Sequence, residues 1–429
     1  MLLQFSVDNF LSIKDKVVFS MNETEKSEKN TLEVTKSGRK DFRLLNSAVL
    51  YGANGSGKSN LLKAMARMRS IVLNEEKVML STDSLAHNPF LLSTETQNAS
   101  TTFEIVFFIN ENKIRYGFDF DEKNIYAEWL FVDKAGKEAR FFIRDDEDSY
   151  VNPRFKEGYV FFDKKSKNIN IPKNQLFLWK CDQNSSDLAS SILNWFQNFN
   201  MIDGMAHHSF IDYTLSKMKD PLFSKNMSKL IKEADIGINS IELHEKELPF
   251  ERLPEEVRQI ISSQLKGVEA GGAMIEQAIM TTHTVYDEQD AKVGEAEFNL
   301  DRQESKGTVK YFRMLGPVLD TLKKGNILMV DELDSSLHPL LSSKLIEMFQ
   351  NPDVNVNGAQ LIFATHDTNL LNSGLFEREQ VWFSEKNEFG STKIYSLSEI
   401  KGVRKTDAFG KQYLMGKYGA IPYLGSFEF

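Results

Sequence analysis

The chain has 429 residues, 41% of them hydrophobic, and a formal net charge of −9. That length exceeds one average domain and the apolar fraction suffices to build cores, so two structural units with room for an insertion are expected. One cysteine, Cys181, excludes an intramolecular disulfide and a cysteine metal cluster, and the acidic balance excludes a surface that is basic throughout while leaving a local basic groove open.

Taken in order, the chain starts MLLQFSVDNF, with alternating apolar residues, acidic Asp8 and no basic start, which does not read as a signal peptide. No apolar run approaches the roughly 20 residues needed to cross a bilayer. With the single cysteine, this predicts a protein of the reducing cytoplasm with no membrane partner. Two short strands are expected around Asn9-Phe10-Leu11-Ser12, then a polar loop from Asn22 to Asp41. Ala48 to Tyr51 is a short apolar run ending at glycine, as a buried strand should. From Asn60 to Leu73, Leu61, Leu62, Met65, Met68, Ile71 and Val72 recur at helical spacing. A period of two follows in Phe103, Ile105, Phe107 and Ile109, and again in Ile114, Tyr116, Phe118 and Phe120 across the turn Asn110–Lys113. With further strands over Ile125–Val132 and Arg140–Ile143, this predicts an antiparallel meander. The period becomes helical from Leu188 to Leu265, as in Leu188, Ile192 and Phe196, and in Val257, Ile260, Ile261 and Leu265 behind Pro254. After Phe298 helices and buried strands alternate, the pattern of an α/β core.

Residues 51–60 read YGANGSGKSN and complete the pattern G-x-x-x-x-G-K-[ST], with Gly52, Gly57, Lys58 and Ser59 at the fixed positions. Strand, glycine-rich loop and helix are the context it requires. Successive N–H groups of Gly52, Asn54, Gly55, Ser56, Gly57 and Ser59 can wrap phosphates, since glycine permits the dihedrals and the close approach. Lys58 supplies a charge to the β- and γ-phosphates, and the Ser59 hydroxyl suits Mg²⁺. In NILMVDELDSSLHPLL, Ile327–Val330 forms a strand that delivers Asp331 to hold Mg²⁺ through water and Glu332 to polarise an attacking water. A third strand, Leu361–Ala364, places His366 at the same edge, to bond the γ-phosphate or that water. Glu304-Ser305-Lys306-Gly307-Thr308 precedes a helix with Val309, Phe312, Leu315, Leu319 and Leu322 on one face, and Gly316-Pro317 is expected to kink it. Alone, that start is either an ordinary capped helix or an anion site made by Ser305 and Gly307.

Together, GANGSGKSN, ESKGT, VDELDSSLHP and ATHD in this order resemble the ABC-type ATPases, in their soluble SMC, RecF and OLD-like branch. The order and the Asn54-Gly55-Ser56 filling are unlike the ring-forming AAA+ pattern. The resemblance implies an α/β head with a mixed or parallel P-loop sheet, an antiparallel β lobe and a helical insertion. The corresponding parts are 1–180 with the phosphate loop and β lobe, 181–297 as the helical insertion, and 298–429 with the remaining motifs. It implies ATP and Mg²⁺ as cofactors, the phosphate loop through Asn60 as the nucleotide cradle, and ESKGT as the signature. Residues 335–338 become the D-loop, His366 the switch histidine, and Gln183 the Q-loop candidate. Ser305 and Gly307 then complete the site of another subunit, which implies a homodimer or higher homo-oligomer.

Lys306, where transporters usually have glycine, and His338, where they have aspartate, favour the soluble branch. The tail GKQYLMGKYGAIPYLG and QVWFSEK look like the ATPases of bacterial abortive-infection and phage-defence systems, Rlo-type and PARIS-type pairs, which work with a separately encoded effector, often a Toprim-type nuclease. The runner-up is a RecF-like DNA clamp, motivated by Lys401, Arg404, Lys405, Lys411 and Lys417 with Tyr413 and Tyr418 among them; a solvated face with core aromatics accounts for that run equally well. Nucleic acid stays open as a partner. A transporter subunit is the third reading.

Overall fold

The computed structural model describes residues 1–23, 30–34, 42–134, 136–204, 211–234, 237–249, 255, 258 and 273–422. The chain divides into two units: Met1–Met205 with Asp320–Ser335 and Ser342–Phe429, and Ala206–Leu319 with Ser336–Leu341.

In the first unit a six-stranded sheet runs in the order Phe199–Asp203, Ile327–Asp331, Gln360–Ala364, Ser47–Tyr51, Val381–Lys386 and Thr392–Ser396. The first five strands are parallel and the last is antiparallel. Ser47–Tyr51 and Gln360–Ala364 are buried along their whole length. Strands covered on both faces need apolar residues at every position, so they read as unbroken apolar runs. The expected meander is present as a seven-stranded antiparallel sheet, from Tyr150–Val151 through Lys137–Asp145, Ile125–Lys134, Asn112–Phe120, Thr101–Ile109 and Leu2–Asp8 to Val17–Ser20.

One core joins both sheets to the helix Lys58–Val72, through Phe5, Phe103, Met65, Met68, Met329 and Ile362 among others. Two buried polar groups fix how these layers meet. The Gln360 side chain accepts from the Leu2 N–H at 2.6 Å and donates to the carbonyls of Leu2 at 3.1 Å and Leu45 at 3.0 Å. The Trp179 indole donates to the Val72 carbonyl at 2.8 Å, satisfying a group that the helix end leaves without a partner.

Two expectations need correction. The described residues of 181–297 do not form a helical lobe. Phe177–Gln183 and Asp187–Gln197 are helices of the first unit, where Phe107 stacks on Trp195 at 4.0 Å. The fully buried Glu128 of the meander accepts from the Leu178 N–H at 2.9 Å and anchors the first of them. In the second unit, helices Ile211–Met218 and Pro221–Glu233 are followed by a three-stranded antiparallel sheet of Ser240–Pro249, Ala273–Tyr286 and Lys292–Asn299. Thr281-Thr282-His283-Thr284-Val285-Tyr286 is mostly β-branched or aromatic, and such side chains pack better on a pleated surface than on a helix. The helical spacing expected at Val257, Ile260, Ile261 and Leu265 lies outside the described residues.

Within the expected loop Asn22–Asp41, Thr31–Val34 is a strand paired with Phe42–Leu45. Lys306–Lys324 runs as one helix through Pro317. Proline lacks the N–H that would bond the Arg313 carbonyl, and the buried Thr214 hydroxyl donates to that oxygen at 3.1 Å instead.

Candidate functional site

The Ser47–Tyr51 strand ends at Gly52 and the helix starts at Lys58, so the loop between them lies at the carboxyl edge of the parallel strands. It is pressed against Val381–Lys386 and the edge strand Thr392–Ser396. A Cβ at Gly52 would stand 2.3 Å from the Ser384 carbonyl oxygen, and one at Gly57, whose φ is +107°, 2.3 Å from Thr392 Oγ1. These contacts are why the motif needs glycine at both positions. Behind the loop runs a chain of hydrogen bonds. Asn60 donates to Ser12 Oγ at 2.7 Å, which lies 2.7 Å from Thr392 Oγ1. Thr392 and Ser384 both donate to the Ser56 carbonyl at 2.9 Å.

A cleft of about 400 Å³ opens on this loop, lined by residues 54–60, Asp331, Glu332, His366 and Lys386. Gly52 sits behind it, and its carbonyl accepts from Lys58 Nζ at 2.8 Å, with Ala53 O at 3.2 Å. Burial lowers the Lys58 pKa, opposed by the charges of Asp331, Glu332 and Asp334. Asp331 Oδ1 is buried and has no hydrogen-bond partner among the described residues. A carboxylate oxygen with open lone pairs beside a serine hydroxyl suits a hard cation. No group of three or more His, Cys, Asp and Glu side chains among the described residues is placed to hold a metal. Mg²⁺, which takes one or two carboxylates and otherwise phosphate and water, fits that donor set.

Glu332 takes up a left-handed backbone, φ +53°, which costs a non-glycine residue about 1–2 kcal/mol. Its neighbours enforce the turn: the Leu333 N–H donates to the Ala364 carbonyl at 3.1 Å, and a Cβ at Gly204 would lie 2.3 Å from the Glu332 carbonyl oxygen. Strain of this kind collects where a side chain must be aimed. The His366 N–H makes a long contact, 3.3 Å, to the Asp334 carboxylate. Desolvation and the positive Lys58 push the His366 imidazole down from its ordinary value, against Asp334, Glu332 and Asp331, which favours the neutral ring.

Gln183 is not part of the cleft. It lies exposed at the end of Phe177–Gln183, accepting from Lys180 at 3.2 Å. A Q-loop at Gln183 requires a passage from strand lobe to helical lobe, and this helix instead belongs to the first unit. Ser305 and Gly307 belong to the second unit. There Ser305 Oγ accepts from the Thr308 N–H at 3.1 Å at the start of the Lys306–Lys324 helix, and a Cβ at Gly307 would lie 3.1 Å from the Ser336 carbonyl oxygen. Sequence reasoning missed Lys386, Asp334 and the bracing hydroxyls of Ser12, Ser384 and Thr392. Only Asp334 had a local signal, its acidic spacing after Asp331 and Glu332.

The family described as "AAA domain, putative AbiEii toxin, Type IV TA system" matches residues 47–372, about three quarters of the chain. The chain belongs to this family. It is a P-loop NTPase of the AbiEii-associated AAA-domain type, and the match spans every cleft residue except Lys386. No curated protein matches the chain. No helix among the described residues is long and apolar enough to cross a membrane.

Proposed function

We propose that this AAA-domain protein hydrolyses ATP to drive closure and reopening of a homodimer or larger homo-oligomer, and that the cycle holds or releases a separately encoded effector of an anti-phage, abortive-infection system. A nuclease of the Toprim type suits that effector. The observation that carries the reading is the convergence of Lys58, Ser59, Asp331, Glu332 and His366 on one cleft at the carboxyl edge of a parallel sheet, where such sheets hold ligands. The family description, with its toxin and toxin–antitoxin context, supports the setting.

In this reading the loop N–H groups and Lys58 hold the polyphosphate. To reach phosphate, Lys58 leaves the carbonyls of Gly52 and Ala53, so phosphate replaces an intramolecular contact. Ser59 and Asp331 would hold Mg²⁺, which would supply charge neutralisation at the phosphates. Glu332, aimed by its left-handed backbone, orients the attacking water, and neutral His366 can donate or accept a hydrogen bond beside it. Ser305 and Gly307 act in trans, on the nucleotide of another subunit. The finer placement, in the SMC, RecF and OLD-like branch near Rlo- and PARIS-type ATPases, rests on the motif order.

The DNA-clamp reading loses part of its motive. Tyr413 and Tyr418 are buried against Phe383, with centroids at 5.3 and 5.7 Å, Lys405 pairs with Glu377 at 3.4 Å and Lys417 with Asp407 at 4.0 Å. Affinity capture of Glu332→Gln from its native cells with ATP and Mg²⁺ separates the readings. A near-stoichiometric protein that survives nuclease treatment is expected; recovery of DNA alone, lost as salt rises, would replace effector control with a nucleic-acid clamp.

A further inference from the structure

We propose that Lys386 is a second phosphate-binding cation, which meets the α- and β-phosphates of the nucleotide from the edge-strand side of the cleft. The inference rests on reading the cleft as a nucleotide site. Register puts the residue there. Val381, Trp382 and Phe383 pair in parallel with Val49, Leu50 and Tyr51, so the strand continues past the level of Tyr51 and carries Lys386 alongside the phosphate loop. On either side of it, Ser384 and Thr392 are bonded to the Ser56 carbonyl. The turn between them is closed by Asn387, whose N–H donates to the Ser391 carbonyl at 2.9 Å and whose side chain accepts from the Phe389 and Ser391 N–H groups at 3.0 and 2.9 Å. The lysine backbone is therefore fixed to the loop it faces.

The side chains divide by strand alternation. Glu385 meets the Tyr395 hydroxyl at 3.3 Å, while Lys386 lines the cleft. Among the described residues the Lys386 ammonium has no ion-pair partner, whereas the Lys58 ammonium is held by two carbonyls. A polyanion entering the cleft thus finds one cation already without a competitor.

Strand order decides which phosphates it meets. The Ser47–Tyr51 strand has Gln360–Ala364 and Ile327–Asp331 on one side and Val381–Lys386 on the other. Asp331, Glu332 and His366 act from the first side, where water attacks the γ-phosphate. Lys386 acts from the opposite side, on phosphates that ATP and ADP share. Binding of that kind is equal in ground and transition states, and its loss raises KM without lowering kcat.

The test compares wild type, Lys386→Ala, Lys386→Arg and Lys58→Ala in equilibrium binding of Mg²⁺–ATP and Mg²⁺–ADP, in steady-state hydrolysis and in thermal melting. Lys386→Ala is expected to raise Kd for both nucleotides by a similar factor, about tenfold, as loss of a charge-assisted hydrogen bond should. KM rises with it, kcat and the melting temperature hold, and Lys386→Arg restores most of the affinity. Unchanged Kd values in Lys386→Ala, where Lys58→Ala loses binding, would overturn the proposal. A loss confined to ATP, or a fall in kcat at constant KM, would also overturn it by placing the lysine at the γ-phosphate or in the chemistry. Failure of the wild type to bind either nucleotide would instead sink the reading of the cleft on which this one stands.

Discussion

Replacing Gly57 by alanine tests whether the edge strand Thr392–Ser396 shapes the phosphate loop. The added Cβ would stand 2.3 Å from Thr392 Oγ1, 2.6 Å from Thr392 Cγ2 and 3.0 Å from Ser12 Oγ, and the residue keeps a φ of +107°. The left-handed backbone costs about 1–2 kcal/mol for a residue with a Cβ. Overpacking a filled site adds about 1–3 kcal/mol, since the hydrogen bonds through Ser12, Thr392 and Ser56 must shift together. The expected destabilisation is therefore about 2–5 kcal/mol. All 4 tryptophans, Trp129, Trp179, Trp195 and Trp382, lie in the first unit, so their fluorescence in a urea titration reports the unit that holds the loop. Thr392→Ala deletes the two nearest atoms. In the double variant the destabilisation should fall short of the sum of the single ones by about 1 kcal/mol or more. Additivity to within about 0.5 kcal/mol would refute the idea that Thr392 enforces glycine at this position.

Three further outcomes are expected. Lys58→Ala should weaken nucleotide binding, whereas Glu332→Gln should keep binding and lower kcat by about 10²–10⁴-fold, the range of a lost general base; normal turnover by Glu332→Gln in a phosphate-release assay would remove Glu332 from the chemistry. Because desolvation and Lys58 depress the His366 pKa, the ring is neutral above its ordinary value of about 6.5, and hydrolysis should stay flat as pH falls to that point and drop only below it. In an NMR titration Lys58→Met should move that pKa up and Asp334→Asn should move it down; shifts of the opposite sign would contradict the charge arrangement. Thr214→Val removes the hydroxyl that bonds the Arg313 carbonyl and should cost about 1–3 kcal/mol, less in a Pro317→Ala background where the new N–H can bond that carbonyl, as a denaturation cycle would show.

The residues that carry the chemistry were legible because each sits in a local pattern with one structural meaning. Gly52 through Ser59 can only be a turn between strand and helix, and the apolar runs before Asp331 and His366 can only be buried strands, so parallel pairing brings all of them to one edge. Lys386 and the bracing hydroxyls were not legible, since their position depends on a strand about 330 residues away in sequence laying its register against Val49–Tyr51. The strands Ser240–Pro249, Ala273–Tyr286 and Lys292–Asn299 were not legible, because their charged, β-branched alternation leaves an exposed face that hides the signal. Gln183 failed for a related reason: the helix Phe177–Gln183 is held by Glu128 of the meander, a contact between residues some 50 positions apart.

Nucleotide-driven closure is measured most directly by sedimentation of purified Glu332→Gln with Mg²⁺–ATP, with Mg²⁺–ADP and without nucleotide. A dimer or larger species that forms with ATP, dissociates in ADP and is lost when Lys58→Ala is added to the same chain is the predicted result. The same sedimentation coefficient under all three conditions, from protein shown to bind ATP, would contradict it.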